Sequence, residues 1–272
     1  MYNFFVDESS RQGGVYRIEG ADYNHIKNVL RMRPGDTFLV SCGGQSSLCA
    51  LTEFADGAAL AEIQEENYQS TELGVEIYLF QGLPKSDKME LIIQKAVELG
   101  AAGIIPVEMK RCVVKLEEKK KKSRRERWQA IAESAAKQSK RNIIPEVFDV
   151  LPYRAAVEQA AGMDLFLLPY ENERGMAATR EALARMAPGM KIAILIGPEG
   201  GFEEKEVALA QDAGALSISL GRRILRTETA AKGENQKSVL RYSQAPSCFT
   251  FGHPSKTVSQ WVAHLNRFRL RS

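Results

Sequence analysis

The run Lys191-Ile192-Ala193-Ile194-Leu195-Ile196 constrains this chain more than any other stretch. It leaves no polar face, so a strand built from it must be buried on both sides. Sheets buried on both faces are parallel sheets covered by helices. The run stops at Gly197-Pro198-Glu199-Gly200-Gly201-Phe202. A helix-forming stretch, Glu203 to Ala213, follows, with Gly214 placed as its C-terminal cap. A second apolar run, Ala215 to Leu220, leads into Gly221-Arg222-Arg223-Ile224-Leu225-Arg226-Thr227-Glu228-Thr229. Two buried strands that each end in a glycine-bearing loop predict a ligand site at the carboxyl ends of the strands.

Glycine-rich turns before helices often hold phosphate, because free N–H groups and the helix dipole attract anions. Here the Lys-Ser/Thr of a P-loop and the G-x-G-x-x-G spacing are both missing. Glu199, Glu203 and Glu204 would repel a phosphate, so a cationic or neutral ligand fits better. Glycines that serve only tight turns would leave the same pattern.

The chain in order predicts two folded units and a tail. Residues 1–72 read as mostly β, with strands at Asn3–Val6, Val15–Ile18, Thr37–Val40, Ser47–Phe54 and Ala58–Ile63. Turn signals at Gly13-Gly14, Pro34-Gly35-Asp36, Gly43-Gly44 and Asp56-Gly57 separate them, and this spacing suggests a small barrel. One helix interrupts the strands, with Asp22 as its cap and Ile26, Val29 and Leu30 as its buried stripe. Arg31 and Arg33 follow it, and they read either as a solvated helix end or as contacts to RNA.

Residues 73–231 read as α/β. Val75–Phe80, a helix after Asp87 and Ile104–Val107 make a βαβ unit, which implies a right-handed crossover and a parallel sheet. Asp87 with Glu90 resembles a capping box. Lys85 and Lys88 lie in the loop at a carboxyl strand end, where substrate contacts are expected. A basic block (Lys110, Arg111, Lys115, Lys119–Lys122, Arg124, Arg125, Arg127) leads into a long helix from Glu118 to Ser139. Trp128, Ile131, Ala135 and Gln138 follow its helical spacing. Such a block is either a solvated face or a phosphate-backbone contact, and its position beside the proposed site points to RNA. Val147–Val150, a helix at Tyr153–Ala160, Leu165–Leu168 and a helix at Arg174–Met186 complete the pattern.

Net charge is only +3, so the distribution of charge is more informative than its sum. The cysteines Cys42, Cys49, Cys112 and Cys248 show no C-x-x-C spacing, which favours a reducing cytoplasm. The start Met1-Tyr2-Asn3-Phe4-Phe5-Val6-Asp7 does not read as a signal peptide, and no apolar run reaches the ~20 residues of a membrane span. His25, His253 and His264 are too scattered to suggest a metal site.

Several ordered stretches resemble one family. They are His25-Ile26-Lys27-Asn28-Val29-Leu30-Arg31, Lys85 to Glu90 with Lys95 to Gly100, Gln138-Ser139-Lys140-Arg141, Ile196 to Phe202, and Leu220 to Ala230. Together they resemble the RsmE group of uridine-N3 methyltransferases of small-subunit ribosomal RNA, within the SPOUT superfamily. The resemblance covers about Met1 to Ala231 and rests most heavily on the last two stretches. It implies a PUA-like β-barrel followed by a trefoil-knotted parallel-sheet α/β domain, and a homodimer. S-adenosyl-L-methionine would be held by Leu168, Pro169, Ile196, Gly197, Gly200, Gly201, Leu220, Gly221, Ile224, Leu225 and Thr229. Arg226, Glu199 and Arg141 would be the catalytic candidates, with Glu228 as another proton acceptor. Arg31, Arg33, Lys85, Lys88, Gln138 and Arg141 would meet the 16S rRNA of the small subunit.

Residues 232–272 depart from the family. Lys232-Gly233-Glu234-Asn235-Gln236-Lys237-Ser238 is polar, and Pro246, Gly252 and Pro254 break any helix. An apolar helix is expected there in the family, so this tail is expected to be poorly ordered. Other readings are a related knotted enzyme acting on a ribose oxygen or another base, and a non-catalytic RNA-binding assembly factor.

Overall fold

The structure, a computed structural model, describes residues 1–68, 70, 72–85, 87–170, 176–220 and 227–231. The segments 221–226 and 232–272 lie outside the described residues, and with them the chain that would close a knot and the whole atypical tail.

Among the described residues the first sheet has the order β1-β4-β5-β6-β3-β2. Its strands are β1 (Asn3–Phe5), β2 (Arg11–Gln12), β3 (Val15–Ile18), β4 (Thr37–Cys42), β5 (Gln45–Ala55) and β6 (Ala58–Glu65). β1 joins β4 in parallel and the other pairs are antiparallel. β5 carries two register shifts, at Leu48/Cys49 and Leu51/Glu53. Such irregularities bend a sheet and let it wrap its own core. That core includes Phe4, Tyr16, Ile18, Ile26, Phe38, Val40 and Leu51.

The helix of this unit differs from the expectation. α1 (Gly20–Asn24) continues as a π-helical turn over His25–Val29, and Glu19, not Asp22, occupies the N-cap position. Asp22 lies in the first turn and faces Lys137 at 3.4 Å. Ile26 is fully buried, but Val29 is 61% exposed. The wider π turn shifts the phase of the stripe, so Val29 rotates off the core.

The second sheet follows the order β10-β8-β7-β12-β11-β13, and β9 also pairs with β8. Its strands are β7 (Glu76–Gly82), β8 (Ala101–Glu108), β9 (Glu146–Val147), β10 (Leu151–Pro152), β11 (Leu165–Pro169), β12 (Lys191–Ile196) and β13 (Leu216–Ile218). Every pairing in it is parallel, as the apolar runs require. The helices are α2 (Lys88–Glu98), α3 (Glu118–Ser139), α4 (Tyr153–Ala161), α5 (Ala177–Ala184) and α6 (Glu204–Asp212). In β12 all residues from Ile192 to Ile196 are buried, and only Lys191 reaches solvent. Its four larger side chains contribute about 6–12 kcal/mol in transfer free energy, an upper bound for an extended reference chain.

Two helix expectations change. Asp87 does stand at the N-cap of α2, but its side chain makes no capping bond. Glu90 instead meets Arg127 of α3 at 2.8 Å. The buried stripe of α3 is Trp128, Ala132, Ala135 and Ala136, while Gln138 is exposed. Small alanines let α3 lie close against α2, which a stripe through Ile131 and Gln138 would not.

α3 also fixes the geometry between the sheets. Near its start Lys121 reaches Glu108 at the carboxyl end of β8, at 3.2 Å. Near its end Lys137 reaches Asp22 of the first unit. The helix has 22 residues and is about 33 Å long, with about 24 Å between those two contacts.

Candidate active site

β7 and β12 are neighbours in space but far apart in sequence, so the winding of the sheet reverses between them. A crevice opens at the carboxyl ends of strands at such a switch point. Gly82 ends β7 there. A Cβ on Gly82 would lie 2.7 Å from both Cδ and N of Pro198 and 2.9 Å from Sδ of Met109. Only glycine lets the Gly197–Gly201 turn close onto β7. Gly201 has φ 66 and its N–H donates to Pro198 O at 2.9 Å, which closes the turn. Gly200 is gripped from outside, because Arg111 Nη1 donates to its carbonyl at 2.9 Å.

Two further chain ends complete the rim. Pro169 at the end of β11 pairs with Ile218 of β13, and Tyr170 N donates to Ile218 O at 3.0 Å. Thr179 of α5 holds Ser219 by two bonds of 2.9 Å, one to its carbonyl and one from its amide. Leu168 and Ile196 are buried, while Pro169 and Leu220 are half-buried. Behind them Gln81, fully buried, donates from Nε2 to Gly82 O and to Thr227 Oγ1, both at 2.9 Å. Thr227 in turn donates to Gly197 O at 2.7 Å. Thr227 opens a helical segment over 227–231.

Charge at the mouth is arranged around Lys88. Its Nζ is 3.0 Å from Glu199 Oε1 and 3.5 Å from Glu228 Oε2. Glu199 also accepts the Lys85 amide at 3.1 and 3.3 Å. Partial burial pushes the Glu199 carboxyl upward, but hydrogen bonds from its own amide, from Lys88 and from Lys85 outweigh that and hold it below its ordinary value. The hydrogen bond to Glu199 raises Lys88 in turn. A carboxylate so held is a weak proton acceptor. Glu228 Oε2 is buried and, beyond its long ion pair with Lys88, has no hydrogen-bond partner among the described residues. Beneath the turn, Glu206 accepts the amides of Lys110 at 2.9 Å and Glu203 at 2.8 Å, tying α6 to the end of β8.

Leu168, Pro169, Ile196, Gly197, Gly200, Gly201 and Leu220 lie at or just after the carboxyl ends of β11, β12 and β13, and Glu199 joins Lys85 and Lys88 there. Thr229 is exposed on the helical segment. Gly221, Ile224, Leu225 and Arg226 lie outside the described residues. Arg141 is a correction. It is 3% exposed, and its guanidinium is committed to Glu72, to Val97 O at 2.9 Å and to Ala101 O at 3.0 Å. Ala101 begins β8, so Arg141 sits at the amino end of the sheet, about 23 Å of strand from the crevice. It cannot touch a substrate bound at the carboxyl ends. Gln138 lies about 26 Å along α3 from Lys121. Arg31 and Arg33 are exposed on the first unit, and Arg31 has φ 52.

The part of the basic block that lies on α3 divides in two. Lys120, Lys121, Arg125 and Arg127 are paired with Glu117, Glu108 and Glu118, Glu146, and Glu90. Lys119, Lys122 and Arg124 are exposed and have no such partner among the described residues. Sequence reasoning also missed Gln81 and Thr227 as site residues. A glutamine in an otherwise apolar strand was the available signal for the first.

The profile of the RNA methyltransferase domain family matches residues 71–232, and that of the RNA methyltransferase PUA domain matches residues 18–47. Fold and crevice thus define an RNA methyltransferase with a small β unit in front. Ribosomal RNA small subunit methyltransferase E of Bacillus subtilis (strain 168) is 37% identical over 237 residues, covering 85% of this chain and 93% of that protein. The protein of the same name from Mycobacterium bovis is 32% identical over 234 residues, covering 84% and 87%. A crystal structure of that enzyme from Neisseria gonorrhoeae bound to S-adenosyl methionine is 32% identical, with a TM-score of 0.72, covering 87% and 96%. The Legionella pneumophila methyltransferase Lpg2936, solved with its bound cofactor, is 28% identical with a TM-score of 0.71, covering 87% and 96%. The chain belongs to the ribosomal RNA small subunit methyltransferase E family.

Proposed function

We propose that this chain methylates N3 of a uridine in the 16S rRNA of the small ribosomal subunit, using S-adenosyl-L-methionine. The observation that carries the reading is the arrangement at the carboxyl ends of the strands: the Gly197–Gly201 turn closed onto Gly82, the apolar strand ends at Leu168 and Ile196, and two carboxylates, Glu199 and Glu228, beside Lys88. These residues fit the donor. Main-chain N–H and C=O groups in tight loops suit an adenine, apolar walls suit its ring, and carboxylates suit a cation. The bound donor supplies an activated methyl group on a positively charged sulfur.

In this reading Leu168, Pro169, Ile196, Gly197, Gly200, Gly201 and Leu220 hold the donor, joined by Gly221, Ile224, Leu225 and Thr229. The uridine N3 must give up a proton as it gains the methyl, so the site must position the base and stabilise charge on the uracil. Arg226 is the substrate contact of the proposal. Glu199 acts through charge complementarity, since its low basicity makes it a poor proton acceptor. A base in structured RNA must be presented unstacked. Residues 1–72 form the RNA-binding unit, with Arg31 and Arg33 on backbone phosphates, residues 73–231 form the catalytic unit, and Lys85 with Gln138 extends the contact. The partner is cytoplasmic ribosomal RNA, and the working state is a homodimer.

Transfer of a radiolabelled methyl group to small subunits that lack the modification tests the proposal. Label on uridine N3 supports it. Label on a ribose or on another base, or no label from a chain that binds the donor, overturns it. Arg226→Ala is expected to abolish transfer while leaving the thermal transition unchanged, and unaltered turnover would remove Arg226 from the site.

A further inference from the structure

We propose that Gln81 is a positioning residue for the donor site, acting through Thr227 on the carbonyl of Gly197. The inference rests on the methyltransferase reading above. Its warrant is the direction of three hydrogen bonds. A threonine hydroxyl has one hydrogen, and here it goes to Gly197 O at 2.7 Å. Thr227 must therefore accept from Gln81, whose Nε2 also donates to Gly82 O. Two acceptors facing Nε2 fix the amide orientation without ambiguity. The chain ties together three pieces that are remote in sequence: the end of β7, the turn after β12 and the start of the 227–231 segment.

All of this is buried. Gln81 is fully enclosed and Thr227 is 5% exposed. The other amide atom, Gln81 Oε1, is buried and has no hydrogen-bond partner among the described residues. An apolar strand accepts such a residue only at a cost, and the cost points to a role at the turn its partner Thr227 holds. The relay holds the Gly197 turn at a set height against Gly82. It also sets the placement of Glu228 and Thr229, which follow Thr227 directly.

The test compares Thr227→Val, which keeps the shape and loses the hydroxyl, with Thr227→Ser, which keeps the hydroxyl. S-adenosylmethionine affinity is read by calorimetry and RNA affinity by filter binding. Thr227→Val is expected to weaken donor binding about tenfold with RNA affinity unchanged, and Thr227→Ser to restore it. Gln81→Met should act in the same direction, and the double variant Gln81→Met/Thr227→Val should be little worse than the more severe single change. Donor affinity unchanged in Thr227→Val, or strictly additive losses in the double variant, would overturn the proposal. A parent chain that binds no donor at all would instead overturn the methyltransferase reading, so the two failures are distinguishable.

Discussion

Arg141→Met is expected to destabilise the protein while sparing its chemistry. The guanidinium is 3% exposed, bonded to Glu72 and to the carbonyls of Val97 and Ala101. Methionine keeps much of the apolar stem and removes every donor. Glu72 is then left with the amides of Asn142, at 2.7 Å, and Ile143, at 3.4 Å, and two carbonyls lose their partners. Removing one member of a buried ion pair costs about 3–5 kcal/mol. A protein of 150–250 residues loses about 2–4 °C of Tm per kcal/mol, so the drop should be about 6–20 °C. Arg141→Lys should recover little, because an ammonium cannot serve Glu72 and both carbonyls at once. Scanning calorimetry gives the Tm, and methyl transfer at about 20 °C gives the activity of the folded fraction. Near-normal KM for donor and RNA with a large Tm loss is the predicted outcome. A Tm within about 2 °C of the parent combined with abolished methyl transfer would refute the reasoning, and would return Arg141 to the substrate.

Gly82→Ala should abolish donor binding, since its Cβ would meet Pro198 backbone at 2.7 Å and push the turn away; calorimetry that finds normal affinity would contradict this. Glu199 is held below its ordinary value, so its stabilisation is present above the unfolded carboxyl range and lost as pH falls through the folded value. Glu199→Gln should accordingly lower Tm at pH 7 and converge with the parent as pH falls through that folded value, and a gap that persists in acid would argue against the pairing. Neutralising Lys119, Lys122 and Arg124 should make the slope of log affinity against log salt for RNA shallower, by about 0.7–0.9 for each phosphate no longer neutralised. The same change at Lys120, Lys121 and Arg127 should do less, and equal effects would show that the internal pairs do not hold in solution.

Much of this arrangement is legible in the sequence because it depends on local rules. The β12 run could only be a strand buried on both faces, and the helix over 118–139 begins and ends where its pattern does. Gly214, with φ 93 just past α6, is a local signal of the same kind. What could not be read depends on partners far along the chain. Arg141 sits in a basic stretch and looks like an RNA contact until Glu72, 69 residues away, is seen to engage it. Lys121, Arg125 and Arg127 of the basic block are likewise engaged by acids of other elements. Gln81 depends on Thr227, 146 residues later, so no window of sequence could assign it a task. Val29 is misplaced for a local reason, because a π turn breaks the 3.6-residue period on which the stripe is counted.

Hydrogen exchange with and without S-adenosylmethionine tests most directly where the methyl donor sits. Saturating donor should slow exchange at 81–83, 168–170, 196–202 and 216–220, and leave 97–101 and 139–143 around Arg141 unchanged. Protection confined to other segments, or none at donor concentrations that support methyl transfer, would contradict the assignment of the carboxyl-end crevice as the donor site.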